Sequence, residues 1–218
     1  MYEPPHFRED RLDVLHALIR AHPLGLLVSN GPDGPIANQL PFLIDSNIAP
    51  YGRLRAHLAR ANTHWQELAA NPQGKVLVVF QGADSYVTPS WYATKQETGK
   101  VVPTWNYVMV QVRGTVRVIE DAAWLRQQIA ELTSVHESKR DKPWAVTDAP
   151  ERFIEAQLKG IVGIEIDIAE THGKWKVSQN RPEADRRGVA ERLGEARDDN
   201  NAAVMSRLVR QYGGLGTD

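Results

Sequence analysis

Two aromatic clusters that also carry hydrogen-bonding side chains stand on either side of a short polar connector. The first is Ser-Trp-Tyr at residues 90–92, and the second is Thr-Trp-Asn-Tyr at residues 104–107. Trp and Tyr offer flat faces, while Ser, Thr and Asn supply donors and acceptors for the edge of a planar molecule. The connector, residues 94–100, predicts a solvated loop. The segment indicates a site for a flat ligand, with packing at a subunit interface as the alternative for Trp91 and Tyr92.

The rest of the sequence argues against several other chemistries. The chain has no cysteine, which removes disulfides, thiolate metal sites and a cysteine nucleophile. It contains no G-x-G-x-x-G fingerprint, no phosphate loop and no G-x-S-x-G nucleophile elbow. The histidines are scattered, and His57 and His64 do not have a common zinc spacing. We therefore expect no metal site, and redox chemistry would need a bound cofactor.

Hydrophobic periodicity predicts the elements that position these residues. Apolar residues at helical spacing predict a first helix over residues 10–21, and turn formers at residues 30–35 predict a β-hairpin between residues 25–29 and 36–44. Further strands are predicted at residues 53–58, 75–80, 85–87, 108–119, 160–168 and 174–177, with helices at residues 121–133 and 150–159. Because regular alternation of strands and helices is missing, an antiparallel barrel is favoured over a doubly wound sheet.

Two stretches refine this prediction. After the strand at residues 53–58, Asn62 or Thr63 is expected to cap a helix that runs to Ala70, with Thr63 and Gln66 at capping-box spacing. Beyond Arg181, two helical segments are predicted at residues 183–193 and 200–212, joined by residues 194–199. We expect one domain over residues 1–180 with a C-terminal helical appendage over residues 181–218.

The sequence resembles the PaiB family, the FMN-binding negative transcriptional regulators, which are flavin-binding split-barrel proteins related to pyridoxamine 5'-phosphate oxidases. The segments that carry the resemblance are residues 1–7, 38–42, 57–62, 86–114 and 176–181. The resemblance implies a mainly β (α+β) fold, an antiparallel split β-barrel with peripheral helices. It also implies FMN as the cofactor and a homodimer with the flavin at the subunit interface.

Within that resemblance, specific residues become candidates for FMN contacts. A phosphate needs backbone amides and a cation, which the predicted strand-to-helix junction offers through His57, Arg60, Ala61 and Asn62. The isoalloxazine ring needs donors at its pyrimidine edge and apolar contact on its faces. The candidates for it are Asn38, Gln39, Trp105, Asn106 and Tyr107. The second subunit's contribution is carried over from the family as Lys176, Ser178, Gln179 and Asn180, with a strand end and helix cap as the alternative for the last three.

Three functions remain open at this stage: an FMN-binding negative regulator of transcription, an FMN-dependent oxidoreductase of a small molecule, and a carrier without turnover. The formal net charge of −1 gives no global attraction for DNA, and no clear DNA-reading element is present. No apolar run approaches the length of a membrane span, and the first residues lack the features of a signal peptide. We expect a cytoplasmic protein.

Overall fold

The computed structural model of the protein describes residues 1–196 and 199–216. Within these residues the chain forms eight β-strands and seven α-helices. The strands are β1 (Arg8–Glu9), β2 (Leu24–Gly31), β3 (Gly34–Pro41), β4 (Leu43–Asp45), β5 (Arg53–Ala59), β6 (Lys75–Val87), β7 (Thr104–Ile119) and β8 (Ile161–Lys176). The helices are α1 (Leu12–Ala21), α2 (His64–Ala70), α3 (Ala93–Thr98), α4 (Ala122–Glu137), α5 (Glu151–Leu158), α6 (Glu183–Glu195) and α7 (Asn200–Gly213).

The strands form one sheet in the order β3-β2-β6-β7-β8-β5-β4, with β1 paired to β8. The strand pairs β1–β8, β2–β3, β2–β6, β4–β5 and β5–β8 are antiparallel. The predicted hairpin is the β2–β3 pair, in which Gly31 lies opposite Gly34. Gly34 adopts a φ of 120°, a conformation that favours glycine. These observations confirm the predicted α+β class and the antiparallel split-barrel type.

The chain divides into two compact units, and the boundaries fall within α1, β6, β7 and β8. The first unit comprises residues 1–18, 81–110 and the chain from residue 172 onwards. The second comprises residues 19–80 and 111–171. The predicted aromatic clusters and the C-terminal helices belong to the first unit, whereas the predicted phosphate site belongs to the second.

In the first unit, a cluster of three polar side chains anchors the last helix to the N-terminal strand. Tyr212 of α7 donates its hydroxyl to Glu9 of β1 at 2.7 Å, and Arg11 donates to Glu9 at 2.6 Å and to the Tyr212 oxygen at 3.0 Å. Glu9 is 4% exposed. The side chain of Arg11, followed by Tyr212, holds the pKa of Glu9 at about 2 against the opposing effect of burial.

In the second unit, α4 covers one face of β5 and β8 through charged and aromatic contacts. Trp124 donates its indole N–H to Glu165 at 2.8 Å, and Arg117 also pairs with this nearly buried carboxylate. Gly163 of β8 leaves room for the Trp124 ring, because a Cβ at this position would collide with it. Arg55 of β5 pairs with Asp45 and with Glu131 of α4.

The structure corrects four local predictions. The predicted strands at residues 75–80 and 85–87 are one strand, β6, and those at residues 160–168 and 174–177 are one strand, β8. Gly82 and Gly173 lie between the predicted strands. A Cβ at Gly82 would meet Val108, and one at Gly173 would meet Glu9, so these glycines permit close approach within a continuous strand. The predicted solvated loop over residues 94–100 overlaps α3, which ends at Thr98 and is followed by Gly99 in a left-handed conformation.

The fourth correction concerns the start of α2. Thr63 makes no side-chain cap, so the predicted capping box does not form. Asn62 instead accepts a hydrogen bond from the backbone amide of His64 at 3.1 Å. Part of the predicted connection at residues 194–199 and the last two residues of the predicted appendage lie outside the described residues. No helix among the described residues has the length and apolar character to cross a membrane.

The Tyr212 anchor gives a first prediction. Replacement of Tyr212 by Phe should lower the free energy of unfolding by about 1 kcal/mol, because Glu9 loses one of its donors. Since the folded pKa of Glu9 is lowered, its stabilising contribution is complete above about pH 4.5 and is lost as the pH falls toward 2. The free energy of unfolding of the variant should therefore decrease less than that of wild type as the pH falls over this range.

Urea unfolding at pH 7 and at pH 3 measures both effects. Tyr86→Phe is the matched control, because Tyr86 is 47% exposed and its hydroxyl makes no hydrogen bond to the described residues. Equal stability of the Tyr212 variant and wild type at pH 7 would contradict the anchoring role.

Candidate functional site

Exposed aromatic rings mark one side of β7 in the first unit. Alternation along the strand turns Trp105 and Tyr107 to one side, while Asn106 and Val108 are buried on the other. Trp105 is 55% exposed and contacts Tyr86 edge to face, with 5.9 Å between ring centroids. Large exposed rings in contact form a surface suited to a planar ligand or to a partner subunit.

Two lysines of β8 flank the Tyr107 ring. The ammonium groups of Lys174 and Lys176 lie 5.4 Å and 6.0 Å from its centroid. Lys174 donates to the carbonyl oxygen of Tyr2 at 3.0 Å, and Lys176 donates to the hydroxyl of Thr104 and to the carbonyl oxygen of Trp105. Both lysines are therefore hydrogen-bonded only to neutral oxygens among the described residues.

A third cation adds to this group. Arg181 lies over the ring of Tyr92, with 4.7 Å from its guanidinium carbon to the ring centroid. Burial lowers the pKa of Lys176, and the positive charges of Lys174 and Arg181 lower it further. Among residues 1–196 and 199–216, no carboxylate forms an ion pair with any of these three side chains. We call Lys174, Lys176 and Arg181 the cation cluster.

The turn after β8 holds the remaining family residues of the first unit. Ser178 is 3% exposed and exchanges hydrogen bonds with Asn106 at 2.9 Å and 3.2 Å. Gln179 folds back on its own backbone, accepting from the Val177 amide at 2.8 Å and donating to the carbonyl of Trp175. Asn180 is exposed. Ser178 and Gln179 thus use their polar groups within the turn.

Trp91 and Tyr92, for which an interface was the alternative, occupy different environments. Tyr92 is 2% exposed, and its hydroxyl has no partner among the described residues. Burial raises its pKa, which Arg181 opposes. Trp91 is partly buried, and its carbonyl oxygen lies against Gly188 of α6. Tyr92 therefore serves as core within the protomer.

In the second unit, Arg60 follows the end of β5 and is fully engaged. It donates to Glu120 at 2.6 Å and to the carbonyl oxygen of Lys159 at 3.1 Å, and its guanidinium lies over Trp65. Ala61, the next residue, is exposed. Binding of a phosphate by Arg60 would compete with the Glu120 carboxylate.

His57 precedes Arg60 on β5 and carries an unsatisfied polar atom. Its Nδ1 is buried without a hydrogen-bond partner among the described residues. Burial lowers the pKa of His57, so the neutral imidazole is favoured. A buried imidazole nitrogen without a partner is suited to a hydrogen bond with a ligand or with water, as donor or acceptor according to its tautomer.

Asn38 and Asn62 belong to a directed hydrogen-bond relay rather than to an open surface. The backbone amide of His64 donates to Asn62 Oδ1 at 3.1 Å, and Asn62 Nδ2 donates to Asn38 Oδ1 at 3.1 Å. Asn38 Nδ2 lies 2.9 Å from His64 Nδ1, and His64 Nε2 lies 2.8 Å from Ser29 Oγ. Gln39, next to Asn38, is exposed.

The backbone amide fixes the direction of this relay, because it can only donate. Asn62 must therefore present its oxygen to the His64 backbone amide and its amino group to the oxygen of Asn38. Asn38 must in turn present its amino group to His64 Nδ1. The neutral imidazole then carries its proton on Nε2 and donates to Ser29. Burial lowers the pKa of His64, opposed by Glu67, in agreement with a neutral ring.

Sequence reasoning did not identify Lys174, Arg181, His64 or Ser29 as parts of these clusters. Lys174 stands two residues before Lys176, and this spacing places both lysines on one face of a strand. The spacing therefore indicates the pair, provided that the strand is continuous through both residues, as β8 is. His64 and Ser29 gave no such signal, because their contact depends on how α2 meets β2.

Comparison with known proteins identifies the family. Residues 1–170 match a family model described as "Putative FMN-binding domain". A protein of Emericella nidulans is 35% identical over 246 aligned residues, covering 98% of each chain. The Bacillus subtilis protein named protease synthase and sporulation protein PAI 2 is 30% identical over 209 residues, covering 96% of each chain.

Solved structures with a similar fold have little sequence identity to this chain. The FAD and heme binding protein of Mycobacterium smegmatis has a TM-score of 0.56 at 15% identity, covering 78% of this chain and 73% of that one. This likeness shows the fold alone.

The first unit carries the chemistry that a flavin requires. The pyrimidine edge of an isoalloxazine ring presents two carbonyl oxygens and gains negative charge on reduction, so it needs donors and cations. The cation cluster supplies them without a neutralising carboxylate among the described residues, and the rings of Trp105 and Tyr107 supply flat contacts. The residues present fit FMN.

The relay in the second unit gives a second prediction. Replacement of Asn38 by Ala should lower the free energy of unfolding by about 1–3 kcal/mol, because the buried His64 ring and the partly buried Asn62 amide lose their partner. In wild type, nitrogen-resolved imidazole NMR should show His64 as a single neutral tautomer protonated at Nε2. The variant should show a mixture of tautomers.

The pH dependence has a definite sign. Because folding lowers the pKa of His64, its stabilising contribution is complete above about pH 6.5 and is lost as the pH falls below that value. Gln39→Ala is the control, since Gln39 is exposed on the same strand. An Asn38→Ala protein with wild-type stability and an unchanged tautomer would refute the directed relay.

Proposed function

The chain belongs to the FMN-binding domain family, and from this premise we propose that it is a cytoplasmic homodimer that binds FMN. The cation cluster contacts the pyrimidine edge of the isoalloxazine ring, with Tyr107 and Trp105 beside it. One observation carries this proposal: three cations of the first unit surround aromatic rings with no carboxylate paired to them among the described residues. Unpaired positive charge of this kind favours an anionic ligand.

Bound FMN supplies one-electron and two-electron redox chemistry. The residues of this chain bind and orient it. Lys174 and Lys176 place positive charge where a reduced flavin carries negative charge, so they favour the reduced state. Trp105 contributes a flat face, and its 55% exposure leaves area that a partner subunit would cover in the homodimer.

The phosphate role predicted for Arg60, Ala61 and Asn62 remains part of the proposal. Arg60 offers a planar donor fork, although it now binds Glu120. His57 adds the buried Nδ1, which donates to a phosphate oxygen in the tautomer protonated at that nitrogen. Asn38, Gln39 and Asn180 remain candidates for secondary contacts, whereas Asn106, Ser178 and Gln179 act within the fold of the first unit.

We place a regulatory role first among the functions of the bound flavin. The Bacillus subtilis relative is named for protease synthesis and sporulation, and this supports regulation of gene expression by the present chain. The second candidate is an FMN-dependent oxidoreductase. The exposed Trp105–Tyr86 pair favours it, because a second planar molecule could contact those rings.

A titration with two ligands tests the cation cluster. Lys176→Gln should weaken the binding of FMN about tenfold, because one charge-assisted contact is lost. Riboflavin, which lacks the phosphate, should lose affinity by the same factor. Quenching of flavin fluorescence measures both dissociation constants.

Lys95→Gln is the matched control for this titration, since Lys95 lies exposed on α3 in the same unit. Equal affinity of Lys176→Gln and wild type for both ligands would remove Lys176 from the site. A loss of affinity for FMN alone would indicate that the cation cluster binds the phosphate rather than the isoalloxazine ring.

Arg60 receives a complementary test. Arg60→Ala should weaken FMN binding about tenfold while riboflavin binding stays at its wild-type value, because only FMN carries a phosphate. Arg126→Ala is the control, since Arg126 pairs with Glu151 on the surface of the same unit. Unchanged FMN affinity in Arg60→Ala would exclude Arg60 as the phosphate ligand.

The two candidate functions separate in one further experiment on the FMN-loaded protein. Anaerobic mixing with NADH or NADPH reports turnover as bleaching of the flavin absorption, followed by recovery with an added acceptor. Gel-shift and promoter-occupancy measurements report regulation. Repeated reduction and reoxidation of the flavin without promoter occupancy would identify an oxidoreductase. Promoter occupancy without such turnover would identify a regulator.

A further inference from the structure

The turn between β8 and α6 contains one residue in an unfavourable backbone conformation. Ser178 has a φ of 67°, and it is the one non-glycine residue with positive φ among the described residues. A serine in this region costs free energy that the surroundings must offset. The cations Lys176 and Arg181 stand on either side of it in sequence.

Several hydrogen bonds hold Ser178 in this conformation. Its hydroxyl both accepts from and donates to Asn106, which is 1% exposed on β7. The Arg181 amide donates to the Ser178 carbonyl at 2.9 Å. The backbone amide of Val177 donates to the side-chain oxygen of Gln179, which holds the backbone before Ser178. A buried pair that satisfies both members is strong and specific in its geometry.

The position of Asn106 on β7 connects this turn to the lysine. Thr104 and Trp105, the two residues before Asn106, provide the oxygens to which Lys176 donates. Residues 104–106 of β7 therefore hold Lys176 through Thr104 and Trp105, and hold Ser178 through Asn106. Without these contacts, repulsion between Lys176 and Arg181 would favour separation of the two charges.

We propose that the Asn106–Ser178 pair is a positioning device that keeps Lys176 and Arg181 together in the cation cluster. The two residues do not contact the flavin themselves; they set the positive charge that the flavin meets. This inference rests on the proposed FMN site, but the placement of the cations is a property of the protein without ligand. It accounts for a strained serine at a position where glycine would cost less.

The experiment compares three substitutions. Ser178→Gly removes the hydroxyl and also removes the backbone penalty, so the variant should fold. Ser178→Ala removes the hydroxyl and keeps the penalty, and Asn106→Ala removes the partner from β7. Gln96→Ala is the control, because Gln96 is exposed on α3 in the same unit and lies outside the proposed site.

The first readout needs no flavin. The pKa of the Lys176 ammonium, followed by NMR of labelled lysine side chains, should rise toward its ordinary value in Ser178→Gly as Arg181 moves away. A folded Ser178→Gly protein with the wild-type pKa at Lys176 would overturn the proposal. If Asn106→Ala and Ser178→Ala do not fold, Ser178→Gly decides alone.

The second readout uses the loaded protein. Ser178→Gly should bind FMN about tenfold more weakly and should shift the flavin reduction potential to a more negative value, because less positive charge stabilises the reduced form. A purely structural role would change the unfolding midpoint and leave the potential at its wild-type value. Binding of no flavin by wild type would refute the proposed function, while the Lys176 pKa would still decide the positioning role.

Discussion

The alternation of side chains along β7 is the constraint on which the candidate site depends. A strand turns successive side chains to opposite faces, so a three-residue stretch must present two side chains to one side and one to the other. At residues 105–107 this puts two aromatic rings on the accessible face and an asparagine on the buried face. The asparagine is isolated from water there, and Ser178 satisfies it. A shift of one residue in register would bury the rings and expose the asparagine.

The arginines of β5 and its end differ from the lysines of β8 in how their positive charge is compensated. In the second unit Arg53, Arg55 and Arg60 each meet a carboxylate, and Arg55 also joins β5 to α4 through Glu131. In the first unit the lysines of β8 meet neutral oxygens and aromatic faces. Neutral oxygens hold an ammonium in place but leave its charge uncompensated. This difference separates arginines that stabilise the fold from cations that remain available to a ligand.

The sequence allowed the fold class, the first hairpin and most helices to be predicted, because each depends on local periodicity and on turn residues. The breaks predicted in β6 and β8 were wrong, and Gly82 and Gly173 lie inside these continuous strands. Whether a glycine ends a strand or admits a neighbouring chain depends on tertiary contacts that the local pattern does not contain. The same limit explains why α3, a short polar helix, was predicted as a loop.

The candidate site was predictable to a similar extent. Family resemblance pointed to Lys176 and Arg60, but their partners, Lys174 and Glu120, required the strand register and the tertiary fold. The sequence did not reveal that the amides of Asn38 and Asn62 join a relay, because the relay closes through His64, which is distant from Asn38 in sequence. Hydrogen-bond capacity alone cannot distinguish a side chain that meets a ligand from one that meets another side chain.

The continuity of β8 has a consequence for protein production. The region that matches the family model ends at residue 170, inside β8 (Ile161–Lys176), while β1 pairs with residues 173 and 174 of the same strand. A recombinant fragment that stops at the family boundary would cut this strand, leave β1 without its neighbour and discard all three members of the cation cluster. A fragment designed from the alignment alone would thus produce a truncated sheet with an open edge, prone to self-association.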